Sequence, residues 1–200
     1  MTSRYAFLVD TYRTERLKTL SVWSQIRDAD MRWRAEARAR SPLEHMVHQC
    51  VSEDGWMTKM LGVVTSHAVL PAEETRVAFI THYAAVSHAR LLVLDAQIDE
   101  WFEAETTFFE VTRSRAWVLT RRIAHSAHHR GQVTALIRAS GQGLYSTYGP
   151  TADTGGLPKN GAAVVYRYTS VDDLIDAERV GGRSTPLPGP GPLPPTERPD

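Results

Sequence analysis

Cysteine is nearly absent from this chain. Cys50 stands alone, which excludes an intramolecular disulfide and any multi-cysteine zinc site and fits a reducing compartment. A cytoplasmic location is therefore expected. Net charge is lacking too: Lys plus Arg and Asp plus Glu number 23 each, so no global field draws nucleic acid or an acidic membrane surface. Long apolar runs are missing as well. The opening stretch MTSRYAFLVDTYRTERLKTL breaks its apolar residues with charge every few positions, unlike a signal peptide or a membrane span. No later run approaches the roughly 18 residues that cross a bilayer. The expectation is a soluble protein with neither nucleic acid nor membrane as partner, which recognises a small-molecule ligand locally.

Helix breakers are scarce up to about residue 140, where Pro occurs only at 42 and 71 and Gly only at 55, 62 and 131. The chain of 200 residues, 42% of them apolar, suits one domain with a sizeable core. A first helix is expected near 3–27, with Leu8, Tyr12, Thr19, Val22 and Ile26 on a stripe that Glu15 shares. Both early prolines are read as helix starts, and Ser41-Pro42-Leu43-Glu44 has the spacing of a capping box. The third helix has the clearest period, through Val77, Ile80, Ala84, Ser87, Leu91, Leu94 and Ile98. A fourth is expected from Arg113 to Ser140, stopped by Gly141. Thr106 to Val111 reads as an extended connector. The fold class that follows is all-α, a four-helix bundle.

After Gly141 the composition changes. Ala163 to Tyr168 is expected to form a short strand or an extended arm, and Ser170 to Arg179 a short capped helix. The last fifteen residues hold seven of the eleven prolines and almost no apolar bulk. Such a segment buries too little surface to offset ordering entropy, so 183–200 is expected to be a disordered tail behind a domain spanning 1–182.

The chemistry-bearing segment is IAHSAHHRGQ. It places His125 and His129 four apart, so on a helix both imidazoles leave one face about a turn apart. Such a pair supplies two of the three or four ligands that zinc, nickel, iron or copper requires. A lone pair at this spacing is more often two surface polar residues, so the neighbours decide. Val118, Arg122, Gln132 and Leu136 share the pair's stripe, beside the stripe of Leu119, Ile123, Val133 and Ile137. This sets the pair at the bundle interior, where unpaired imidazoles are costly. A third ligand is expected from a facing helix. The second helix offers His45 and His48. His48 lies between Val47 and Val51 with Gly55 two turns on, whereas His45, about 60° round beside Glu44, suits a wetter position.

The order His48, then Glu53 and Trp56, then His125-x-x-x-His129-Arg130-Gly131-Gln132 resembles the DinB-like superfamily of bacterial metalloproteins over roughly residues 5–145. The resemblance implies a four-helix bundle, a homodimer, and one divalent transition metal (Zn, Ni or Fe) held by His48, His125 and His129. It leaves the loop from Tyr148 to Gly156 and the tail outside the shared pattern.

Three protein ligands leave coordination positions open, as in catalytic rather than structural sites. The expected function is a metal-dependent enzyme activating water or a small thiol, either a hydrolase or, as some related families imply, a thiol-dependent transferase with a low-molecular-weight thiol as partner. Glu53 is a candidate proton acceptor, and Arg130 or Arg122 a candidate anion contact. The alternative is a non-catalytic metal-binding stress-response or interaction protein, its ion closed by a fourth group such as Glu53 or Asp153. A purely structural bundle is the third reading. His128 is expected to flank the site, His67 and His82 to face water, His88 to adjoin the core with a possible supporting role, and Cys50 to be a small buried residue.

Overall fold

The computed structural model describes residues 3–197. Its order is α1 (Ala6–Trp23), α2 (Pro42–Gly55), α3 (Arg76–Asp95), α4 (Asp99–Glu103), β1 (Glu105–Phe108), β2 (Val111–Ser114), α5 (Arg115–Ala139) and α6 (Val171–Arg179). Four of these starts carry a side-chain cap in which a hydroxyl accepts from the N–H three residues on: Ser41 from Glu44, Thr75 from Ala78, Ser114 from Trp117 and Ser170 from Asp173. Ser41 and Glu44 form the complete capping box. Pro71 is not a helix start; it lies in the preceding loop, and α3 begins behind Thr75. At the far end of α5, Gly141 takes a left-handed φ of 80°, and the N–H of Gln142 returns to the carbonyl of Ile137.

The protein is mainly helical, yet the expectation of an all-α chain needs correction. The Thr106 to Val111 connector is a hairpin, in which β1 and β2 pair antiparallel with Thr106 opposite Arg113 and Phe108 opposite Val111. Its residues are β-branched and aromatic, which favours a pleated strand over a helix. Thr106 donates to the carbonyl of Met60 at 2.6 Å. That bond ties the hairpin to the π-helical turn Trp56–Met60, which continues α2.

Helix α1 packs on α3 and α5, and α2 lies against α5 and α3. The apolar interior comes in two clusters. One contains Leu20, Trp23, Met46, Phe79, Ile80, Val133 and Ile137; the other contains Leu8, Val9, Met57, Leu91, Leu94, Val118 and Leu119. Between them every long helix contributes buried polar groups: Arg16 from α1, Gln49 and Glu53 from α2, Ser87 and Arg90 from α3, Arg122 and Ser126 from α5. A polar layer thus crosses the core at mid-height. Cys50 lies in the first cluster as expected, and burial pushes its thiol up to about 12.

Ala163 to Tyr168 is an extended arm rather than a strand, with Val165 accepting from the N–H of Ser146. Helix α6 follows as expected and docks on α1 and α3. It buries Leu174 and Glu178, the latter meeting Arg76 and the hydroxyl of Tyr168. Of the tail, 183–197 has no helix; Gly189 forms an isolated parallel bridge with Thr154, and Tyr145 donates to the carbonyl of Thr185. The expectation of disorder at 198–200 lies outside the described residues.

Candidate metal centre

Helices α2 and α5 bring His48, His125 and His129 together. One ring nitrogen from each lies within 4.8 Å of the others, and no Cys, Asp, Glu or further His among the described residues joins the group. His129 is buried, while His48 and His125 are half-buried. The Nε2 atoms of His125 and His129 stand 3.2 Å apart. That separation matches the edge of a tetrahedron, about 3.3 Å, drawn by metal–nitrogen bonds of about 2.0 Å.

Hydrogen bonding sets the ring orientations. Gln132 accepts from Nδ1 of His129 at 2.7 Å, so the lone pair of His129 sits on Nε2 and points at His125. The Nδ1 of His125 is buried with no partner. If His125 carries its proton on Nδ1, that donor is orphaned and two lone pairs oppose each other at Nε2; the other tautomer leaves Nδ1 an orphaned acceptor. A cation shared by the two Nε2 atoms removes the conflict of the first arrangement. The donor set therefore fits a transition metal.

Protonation is suppressed across the cluster. Burial first, then the charge of Arg122, holds His125 down at about 3. Burial and then Arg40 hold His48 at about 4, and His129 is lowered chiefly by burial. Neutral imidazole is the form that binds metal. One flank of the site is aromatic: the Trp56 ring lies 5.3 Å from His125, with Phe108 of the hairpin edge-on to it at 5.0 Å and the Arg122 guanidinium 5.4 Å from its centroid.

His45 departs from its expected wet position. It is 5% exposed, its ring lies 5.6 Å from His129, and its Nδ1 is an orphan like that of His125. Rotation by about 60° from His48 keeps it on the face of α2 that meets α5, because the helix packs with a broad stripe rather than a single line. Glu53, a candidate proton acceptor, is instead fully buried in the polar layer, accepting from Tyr12 (2.7 Å), Tyr83 (2.8 Å) and Gln49 (2.8 Å). Arg130 points the other way, to Glu15, Thr19 and Tyr148 on the α1 side. Arg122 is also enclosed, donating to Ser52, Gln49 and Ser126 at 2.9 Å. Neither arginine is free to meet a ligand.

Asp153 is bound to Arg138 and the N–H of Leu144. His128 is exposed beside His129, at 5.0 Å between rings. His67 is exposed, whereas His82 is half-buried with Nε2 3.3 Å from the carbonyl of Val69. His88 borders a cavity next to α6 and has no part in the cluster. Two residues escaped sequence reasoning. Arg40 precedes the capping box, where nothing in the pattern marks it. Gln132 was placed on the correct stripe, and its three-residue offset from His129 was the available signal.

Gln132→Ala should leave the fold intact, because the residue is exposed, and should weaken metal binding by roughly ten- to hundredfold through loss of the bond that orients His129. Competition titration against a chelator of known affinity would measure it, and an unchanged affinity would remove Gln132 from the site.

No protein of curated function matches this sequence. Among solved structures, a DinB-like protein from Bacillus cereus is 18% identical with a TM-score of 0.61, over 69% of this chain and 95% of that one. A DinB-like protein from Bacillus subtilis is 12% identical with a TM-score of 0.55, over 68% and 94%. At these identities the likeness is one of fold. The family model matches residues 1–156, so the Tyr148 to Gly156 loop lies within the shared region and the α6 extension beyond it. This chain belongs to the DinB family.

Proposed function

We propose that the protein is a divalent-metal-dependent enzyme, a hydrolase or thiol-dependent transferase, whose four long helices form a bundle that holds one Zn, Ni or Fe ion through His48, His125 and His129. The supporting observation is the convergence of three imidazoles held neutral, with no fourth ligand among the described residues. A three-ligand set leaves an open face. The bound ion would supply Lewis-acid activation of water or of a thiol near neutral pH. The chain's own contribution is orientation and screening: Gln132 fixes the His129 ring, and Trp56 with Phe108 walls off the His125 side.

One observation favours a second reading. Buried His45, with its orphaned Nδ1 and its ring near His129, is placed to close the sphere if it moved inward, which would suit a non-catalytic metal-binding protein. X-ray absorption of the zinc-loaded protein separates the two. Three imidazoles with a light exchangeable atom support the enzyme, while four imidazoles, falling to three in His45→Ala, support the binding protein.

The depressed imidazoles make a pH prediction. Three histidines of ordinary pKa near 6.5 would each cost roughly tenfold in metal affinity by pH 5.5 through competing protons. Here His48 and His125 stay neutral down to about 4 and 3, and His129 is also lowered. Affinity, corrected for the chelator, should therefore lose less than about tenfold from pH 7.5 to 5.5, where three ordinary histidines would lose about a thousandfold. For the metal-free protein the sign is that of a folded state binding fewer protons than the unfolded one. Its stability should be full above about pH 6.5 and decline as pH falls toward 4. Urea unfolding at a series of pH values would show this slope, and a flat profile would count against neutral, buried imidazoles.

A further inference from the structure

Charge at the cluster is unbalanced. Three neutral imidazoles leave a divalent ion with its full charge, no carboxylate joins the group among the described residues, and Arg40 and Arg122 add positive charge beside it. The carboxylate of Glu53 is spent on Tyr12, Tyr83, Gln49 and Arg90. Arg122 donates its two terminal nitrogens to three neutral oxygens, keeps a buried Nε without a partner, and is fully enclosed. Arg40 differs: it is exposed, and its charge reaches His45, His48 and His129.

Its neighbours sharpen the contrast. Between α1 and α2 the chain carries five arginines from Arg27 to Arg40. Arg27 pairs with Asp30, Arg32 with Glu74, Arg34 with Glu44 and Arg38 with Glu36. Arg40 has no ion pair or side-chain hydrogen bond among the described residues. It lines a cavity of about 490 Å³ with Arg38, His45, Gln132, Ala135 and Leu136, and no acidic residue lines that cavity. Gln132 is the residue bonded to His129, so the cavity adjoins the cluster. A guanidinium presents a planar fork of donors that matches an oxyanion with two oxygens.

We propose that Arg40 recognises an anionic group of the substrate, and that the ligand of this cavity is a small molecule carrying a carboxylate or similar oxyanion next to the group that meets the metal. The proposal rests on the three-histidine metal reading for the position of the reacting group. Ala135 and Leu136 give the cavity an apolar part of its lining, which suits a short hydrocarbon portion of the ligand.

The test uses the zinc-loaded full chain and calorimetric titration with paired probes: mercaptoacetate against mercaptoethanol, and mercaptopropionate against mercaptopropanol. Each pair shares its thiol and spacer length and differs in charge. Wild type should prefer the acid of at least one pair by roughly tenfold, the usual worth of a charge-assisted hydrogen bond. Arg40→Gln should bring that pair to parity with the alcohol's affinity unchanged, and Arg40→Lys should retain part of the preference. Equal affinities in wild type, a preference that survives Arg40→Gln, or no binding of any probe would overturn the proposal. Elemental analysis of the same samples scores the metal reading separately. Zinc without charge preference sinks the Arg40 proposal alone, and charge preference through Arg40 in a chain that holds no zinc sinks the metal site alone.

Discussion

His125→Ala and His129→Ala should each reduce bound metal from about one ion per chain to less than a tenth of that after desalting, because two imidazoles cannot hold a first-row ion against dilution. His48→Ala should do the same. His128→Ala, which alters an exposed neighbour of His129, should retain the metal. Elemental analysis of the purified proteins is the measurement. The idea is lost if wild type carries no stoichiometric metal, or if the variants at 125 and 129 carry as much as wild type. Folding is scored separately by urea unfolding of the metal-free proteins, in which only His125→Ala removes a buried ring nitrogen that has no partner. Each metal-free variant should still unfold in one cooperative transition, with His129→Ala at the lowest midpoint because it vacates a buried ring and breaks the bond to Gln132. Added zinc should raise the midpoint of wild type alone, as any ligand of the folded state must.

The histidine pair was legible in sequence because its information is local. Spacing on one helix fixes which side chains share a face, and the apolar neighbours fix which face is inward. The same locality identified the capping box at Ser41 and the left-handed stop at Gly141. What sequence reading missed is non-local. Glu15 looked out of place on an apolar stripe, Ser87 read only as a small member of a core-facing stripe, and Glu53 looked like a group near the ion, because the sequence of one helix does not reveal what the neighbouring helix places opposite. In three dimensions Glu15 meets Arg130, Ser87 accepts from Arg16, and Glu53 is ringed by tyrosines and Arg90. Arg40 was invisible for the same reason. The role proposed for it depends on its charge reaching His129 of α5, roughly ninety residues away, and loop position alone carries no trace of that. The hairpin was half-legible: its β-branched and aromatic content signalled an extended segment, but a Phe109-Glu110 loop lacks the Asn-Gly or Asp-Gly signature that marks a two-residue turn.

The buried polar layer gives the second large effect. Glu53→Ala should destabilise the protein by about 3–5 kcal/mol, the cost of stripping the partner from enclosed charge. The carboxylate is fully buried and accepts from Tyr12, Tyr83 and Gln49, with Arg90 at 3.4 Å. Removing it leaves two tyrosine hydroxyls without an acceptor. Arg90 keeps only Asp54, at 2.9 Å. Glu53→Gln keeps the volume but offers one oxygen where two are needed and turns an NH2 toward donors, so a smaller loss of about 2 kcal/mol is expected. Urea unfolding of the metal-free proteins would rank wild type, Gln and Ala in that order. Losses below 1 kcal/mol for Glu53→Ala would mean that the layer relaxes or admits water. The consequence extends to the metal. Gln49 links Glu53 to Ser126 and Arg122 on α5, and so holds α2 in register with the helix that carries His125 and His129. Since His48 rides on α2, a loosened layer should widen the three-imidazole cluster, and Glu53→Ala should bind zinc more weakly than wild type under conditions where both are folded. In that sense Glu53 serves the site as a positioning residue, acting through the spacing of two helices and not through contact with the ion.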